Sequence, residues 1–282
     1  MDFFDLHCDT PYECYFKNQP LINNSLAVSA EKGIVFGNWK QTFAIWIKDE
    51  QKEPFLLYKK ILSDFKEKLK QKPDNLIPIL SVEGGSLIEK DIKRIEIIKN
   101  DGIRFLTLTW NGENEIAGGV NSIKGLSDFG KEVIKELNRL KMGCDLSHIN
   151  EKSFFKAADV AEFPIATHSN CRSVFNHKRN LSDEQIRIIA EKGGIIGLCL
   201  YPEFLGGDVF EKIYENIYHM ADMGFGKNIA IGTDFDGALM DEKISRIEKI
   251  PRLYEFLFKK GLKKQFLSDI FFENADKFIA KL

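Results

Sequence analysis

Eight short apolar runs, each followed by an amphipathic stretch, predict an α/β fold: a (β/α)8 TIM-like barrel with extra C-terminal helices. Three observations carry that reading. Strand-like and helix-like runs alternate from end to end, with no repeat, low-complexity tract or linker to divide them. The length of 282 residues suits one such barrel, so residues 1–282 are read as a single domain. No GxGxxG follows a strand, which disfavours an open, doubly wound sheet.

Taken in order, the predicted strands are Asp2–Leu6, Gln41–Ile47, Leu76–Val82, Arg104–Thr109, Gly143–Leu146, Pro164–Thr167, Ile195–Leu200 and Asn228–Gly232. Pro11 marks the stop after the first. Between them the 3.6-residue period predicts helices over Phe55–Gln71, Asp91–Asn100, Gly130–Lys141, Glu151–Ala161, Ser182–Glu191 and Val209–Met223. Ser182 with Gln185 three residues later has the form of a capping box. Gly102, Gly143, Gly193-Gly194 and Gly224 punctuate helix ends and loops. Ile244–Lys260 and Lys263–Leu282 read as closing helices, and the Gly-rich segment Gly112–Gly125 as a lid over the mouth.

Composition narrows the function. Hydrophobic residues at 44% and charged residues at 29% are an ordinary soluble mix with material for a sizeable core. A net charge of -2 gives no electrostatic case for nucleic acid or an anionic membrane, and lysine runs such as Lys66 to Lys72 read as solvated helix faces. Neither a basic leader followed by a long apolar run nor a spanning segment is visible, so a cytoplasmic location away from membranes is expected. The five cysteines include no CxxC pair and read as reduced thiols. Cys8, Cys144 and Cys199 lie in apolar runs as small hydrophobes. Cys171, three residues after His168, is the one thiol whose reactivity merits testing.

Barrel chemistry sits at the carboxyl ends of the strands. The first strand leads into Asp5-Leu6-His7-Cys8-Asp9, where period two turns His7 and Asp9 together and Cys8 away. Nitrogen and oxygen donors so spaced suit zinc or manganese. Taken alone, the pair reads as a polar strand end. Strand three, however, ends in Glu83-Gly84-Gly85, strand five in Asp145-Leu146-Ser147-His148, strand six in Thr167-His168, and strand eight in Thr233-Asp234-Phe235-Asp236. Three of the five histidines in the chain fall at strand ends. Singly, Glu83 reads as a helix cap and His148 or His168 as core histidines. Together they suffice for two metal ions bridged by a carboxylate, and Glu83, followed by glycines, suits the bridge. Arg179 is either a surface arginine or a bidentate grip for a substrate carboxylate. Asp234 is either a buried strand-end acid or a partner for a substrate ammonium. His177 and His219 are read as exposed or structural.

The segments D-L-H-C-D-T-P, S-V-E-G-G, F-L-T-L-T-W-N, G-L-S-D-F-G-K-E-V-I-K-E-L-N, D-L-S-H, T-H-S-N, K-R-N and G-T-D-F-D-G run in this order from about residue 5 to 237. As a set they resemble the membrane (renal-type) dipeptidase family of zinc peptidases. That resemblance implies a binuclear zinc dipeptidase on a TIM-like barrel, with manganese or cobalt as substitute metals. It implies that His7 and Asp9 bind one zinc, that Glu83 bridges and acts in catalysis, and that His148 and His168 bind the other. It further implies that Arg179 holds the dipeptide carboxylate, while Asp234 serves its amino terminus or the attacking water. A D or dehydro residue at the carboxyl end is expected to be tolerated. Mammalian members carry a histidine where this chain has Trp110, so Trp110, Asn111 or a metal takes over contact with the substrate oxygen. Two rival readings remain: an amidohydrolase-type deaminase or lactonase, disfavoured by HxD and Glu83, and a metal-binding protein with weak turnover, motivated by Trp110. A homodimer is expected by analogy alone.

Overall fold

The computed structural model describes residues 1–282. Eight parallel strands close in sequence order: β1 (Phe3–Asp5), β2 (Trp39–Trp46), β3 (Leu76–Glu83), β4 (Ile103–Thr107), β5 (Gly143–Asp145), β6 (Pro164–Ala166), β7 (Ile195–Leu198) and β8 (Ile229–Ile231). Pairing of Asp5 with Ile231 closes the ring. The predicted barrel is therefore the observed one. Most strands stop one or two residues short of their predicted carboxyl ends, because Leu6, Thr109, Thr167 and Leu200 have already left the ladder to form the mouth.

The helices Pro54–Leu69, Lys93–Asn100, Asp128–Arg139, Glu151–Val160, Asp183–Glu191 and Val209–Asp222 occupy the predicted places. Their starts are set by caps: side chains of Ser127, Asn150, Ser182 and Asp208 accept first-turn N–H groups, and Ser182 with Gln185 completes the reciprocal box. Two expectations need correcting. Pro11 opens a helix, Thr10–Phe16, in whose first turn its missing N–H costs nothing. The closing helices are shorter, with Ile250–Lys259 carrying Pro251 in its first turn and the last stretch interrupted by a π turn at Asp269–Glu273.

Period two layers the barrel interior. Phe4, Phe105, Ile165, Ile195 and Ala230 form an apolar floor, which Ala275, Phe278 and Ile279 of the final helix plug from below. Two residues further along β3 to β6 the inward positions become Ser81, Thr107, Asp145 and Thr167, all buried and polar. The apolar floor supplies rigidity; the polar layer above it carries the site.

Gly112–Gly125 is not a lid. Ile116 and Ala117 are fully buried, the Asn114 side chain binds the backbone of Leu108, Ile116 and Ala117, and Gly119 pairs with Ile149. A Cβ on Gly119 would stand 2.0 Å from the Trp110 carbonyl oxygen, so the loop packs as a fixed strap.

Candidate metal centre and cleft

The mouth gathers the five predicted ligands. The ladder stops at Asp5, and a bend at Leu6 turns His7 inward; Asp9 follows as the residue before the first helix. His7 Nε2 lies 3.5 Å from Asp9 Oδ2 and 3.5 Å from Glu83 Oε2. The other Glu83 oxygen, Oε1, lies 2.8 Å from His148 Nε2 and 3.4 Å from His168 Nε2. Two donor triads share Glu83, His7–Asp9–Glu83 and Glu83–His148–His168, and a third, His7–His168–Asp234, lies beside them, each with its ligand atoms within 4.8 Å of one another. Glu83 belongs to the first two and turns one oxygen to each. Cys8 points away, its thiol donating to the Thr42 carbonyl.

Hydrogen bonds behind the rings make this a lone-pair cluster. His148 Nδ1 meets Asn111 Oδ1 at 2.9 Å, and the Nδ1 atoms of His168 and His7 meet Thr167 Oγ1 at 2.9 and 3.2 Å. Burial, reinforced by Arg179, pushes the His148 imidazole down to about 4. Burial and His7 push His168 well below the usual range. Both rings are thus neutral, and their Nε2 lone pairs converge at 2.8 Å, an arrangement a shared cation satisfies. At His7 burial is outweighed by the Glu83 and Asp9 carboxylates, which hold its imidazole well above the ordinary range. Asp9 is raised to about 8 by burial and by Glu83. His7 Nε2 and Asp9 Oδ1 are buried without a hydrogen-bond partner, so the residues fit divalent metal on their own geometry.

Above the cluster opens a cleft of ≈390 Å³, reached by Asp9, Glu83, His148 and Asp234 and walled by Tyr12, Trp46, Trp110, Tyr201 and Phe204. His7 and His168 lie beneath it. The strands divide the work: β1, β3, β5, β6 and β8 lead into the acids and imidazoles, whereas β2, β4 and β7 lead into Trp46, Trp110 and Tyr201.

The sequence model of the membrane dipeptidase family (peptidase family M19) matches residues 51–281. The chain belongs to this family. Membership places it among metal-dependent peptide hydrolases. The chain is 29% identical over 215 residues to a Klebsiella pneumoniae protein encoded in the pqqA 5′ region, covering 71% of this chain and 79% of that protein. It is 33% identical over 180 residues to an uncharacterised dipeptidase of Schizosaccharomyces pombe, covering 60% of this chain but only 44% of the yeast protein. In fold it resembles the Rhodobacter sphaeroides metallopeptidase crystallised with a phosphinate mimic of the dipeptide L-Ala-D-Ala, with a TM-score of 0.89, 20% identity and coverage of 100% and 99% of the two chains.

Against this membrane dipeptidase background the remaining residues can be placed. Arg179 is a buried arginine and not a surface one, 5% exposed, its guanidinium 5.2 Å over the Phe204 ring and Nη2 donating to the His168 carbonyl. Its Nε is buried without a partner. Asp234 reaches the cleft with its carboxyl pushed up to about 6 by burial, and it lies within 4.8 Å of the His7 and His168 ligand atoms. Asn111 is engaged with His148, which leaves Trp110 as the wall, 5.1 Å from the Trp46 ring. His177 stacks on Phe204 and His219 pairs with Asp183. Cys171 is buried, and burial pushes its thiol far above the reactive range.

Sequence reasoning missed the aromatic wall. Trp46 ends β2 and Tyr201 follows β7, while Tyr12 and Phe204 lie on the short helices Thr10–Phe16 and Pro202–Leu205, and a search for metal-binding and titratable side chains passes over all four. It also missed Cys199, whose thiol lies 3.7 Å from Asp234 Oδ2. No helix is long and apolar enough to cross a membrane.

Proposed function

We propose that this chain is a binuclear zinc dipeptidase that hydrolyses the peptide bond of free dipeptides and accepts a D or dehydro residue at the carboxyl end. The observation that carries the reading is Glu83, whose two oxygens face two separate histidine-containing donor sets. His7 and Asp9 would hold one ion and His148 and His168 the other, with manganese or cobalt as substitutes. Two ions there would supply a polarised substrate carbonyl and water ionised near neutral pH.

The protein's own groups do the rest. Arg179, with Nε free of protein partners, receives the substrate carboxylate. Asp234 receives the substrate ammonium or takes a proton at its carboxyl and passes it toward the leaving amine, a task suited to a group poised at about 6. A cationic grip for the carboxylate and an anionic grip for the ammonium restrict the substrate to two residues with both ends free. The aromatic wall excludes water from the bond being cut. The phosphinate mimic of L-Ala-D-Ala bound by the Rhodobacter sphaeroides relative supports tolerance of a D residue.

The test combines zinc quantification with hydrolysis of L-Ala-L-Ala, L-Ala-D-Ala and a dehydrodipeptide, before and after chelation, with N-acetylated and amidated dipeptides as controls. Free dipeptides should be cut only by metal-loaded protein, and blocked ones poorly. Glu83→Ala should lose bound metal and activity together; full activity in that variant would sink the binuclear scheme.

A further inference from the structure

Thr167 stands behind two of the three imidazoles at once. Its Oγ1 lies 2.9 Å from His168 Nδ1, 3.2 Å from His7 Nδ1 and 2.7 Å from Asp145 Oδ2. Asp145 is fully buried and ringed by donors: the Thr107 hydroxyl at 2.6 Å on Oδ2, and the backbone N–H groups of Ser147 and Thr167 at 3.0 and 3.1 Å on Oδ1. A carboxylate only accepts, so the Thr167 hydroxyl gives its hydrogen to Asp145 and keeps its lone pairs for ring N–H groups. Both imidazoles then carry hydrogen on Nδ1 and turn Nε2 toward Glu83. The Thr167 backbone is itself tightly held, since a Cβ on Gly197 or Gly232 would stand 2.1 or 1.7 Å from its carbonyl oxygen.

We propose that Thr167, aimed by Asp145, is a shared positioning residue that fixes the ring orientation and tautomer of His7 and His168, one imidazole from each triad that shares Glu83. This rests on the metal reading above. One hydroxyl thereby couples the two sites: losing it loosens a ligand of each ion. His148 stands outside the arrangement, because its Nδ1 is held by Asn111.

The test uses full-length, zinc-loaded protein with 15N-labelled histidine; with only five histidines the ring signals are assignable. In the wild type, His7 and His168 should each show a slowly exchanging Nδ1–H. Thr167→Val should make both exchange fast and weaken zinc at both positions by about 10–100-fold in chelator competition, with the His148 signal unchanged. Thr167→Ser should restore the wild-type pattern. Asn111→Ala should do the reverse and disturb His148 alone. A proton on Nε2 of either ring in the wild type overturns the proposal. So does a Thr167→Val protein with unchanged ring signals and zinc affinity, or one weakened at a single ion. If Thr167→Val fails to fold, the wild-type ring protons decide. If the wild type binds no zinc, it is the metal reading that falls, and the exchange rates of the Nδ1–H groups of His7 and His168, compared between metal-free wild type and Thr167→Val, still decide the role of Thr167.

Discussion

His148 and Asp234 both hold left-handed backbone, with φ of 65° and 64°, in a chain where such angles on non-glycine residues are few. Each costs on the order of 1 kcal/mol and persists because surrounding packing over-determines it. Here the twist swings a side chain off the strand direction and into the mouth. Arg179 shows the same economy at a buried position: one donor fixes it to the His168 carbonyl, and Nε is left for a ligand. Arg179→Lys should raise KM for dipeptides by about 10-fold or more while leaving the melting temperature nearly unchanged, because a point charge replaces a planar fork. An unchanged KM removes Arg179 from the site. Trp110 sits edge-on to Trp46 as wall. Trp110→Phe should therefore keep kcat within a few-fold, and Trp110→Ala should raise KM roughly 10-fold through lost apolar contact. A collapse of kcat in Trp110→Phe would show instead that the indole N–H bonds the reacting oxygen.

Among the elements, the strand interior matters most, because period two links floor, polar layer and mouth along one chain. On β3, Ile79, Ser81 and Glu83 step from the edge of the apolar floor to the bridging carboxylate. Gly232, just past β8, is glycine because the Thr167 carbonyl occupies the place of its Cβ. Gly232→Ala should cost roughly 1–3 kcal/mol of stability and weaken zinc binding as well, since overpacking there displaces Thr167 from its imidazoles. Chemical unfolding and metal competition on the same variant check both effects. Stability loss with unchanged metal affinity would show that this backbone and the site are independent.

At the scale of the whole molecule, barrel closure brings residues 7 and 234 beside residues 83, 148 and 168. His7 Nε2 and Asp9 Oδ1 lie buried without a partner, and a shared cation would supply one, so metal should stabilise the fold. Zinc added to chelated protein at about 100 times its dissociation constant should contribute ~2.7 kcal/mol and raise the melting temperature by several degrees. An unmoved transition would count against the centre.

Much of this was readable in the linear chain. Eight alternating runs fixed the barrel, and the rule that strand ends carry chemistry picked out His7, Asp9, Glu83, His148, His168 and Asp234, because period two and strand polarity are local properties. The fixed strap at Gly112–Gly125, the helix opening at Pro11 and the burial of Arg179 were not readable, since each depends on what packs against the segment. The same holds for the aromatic wall, whose members come from four separate segments of the chain and carry no shared spacing. The sequence by itself determined which donors exist and which ends of which strands they occupy. Tertiary structure alone decided that Glu83 faces two donor sets, that Asn111 serves His148, and that one Thr167 hydroxyl stands behind two imidazoles. Those are distances between side chains on different strands, set by how neighbouring strands pair and, for His7 against Thr167, by the barrel bringing β1 opposite β6.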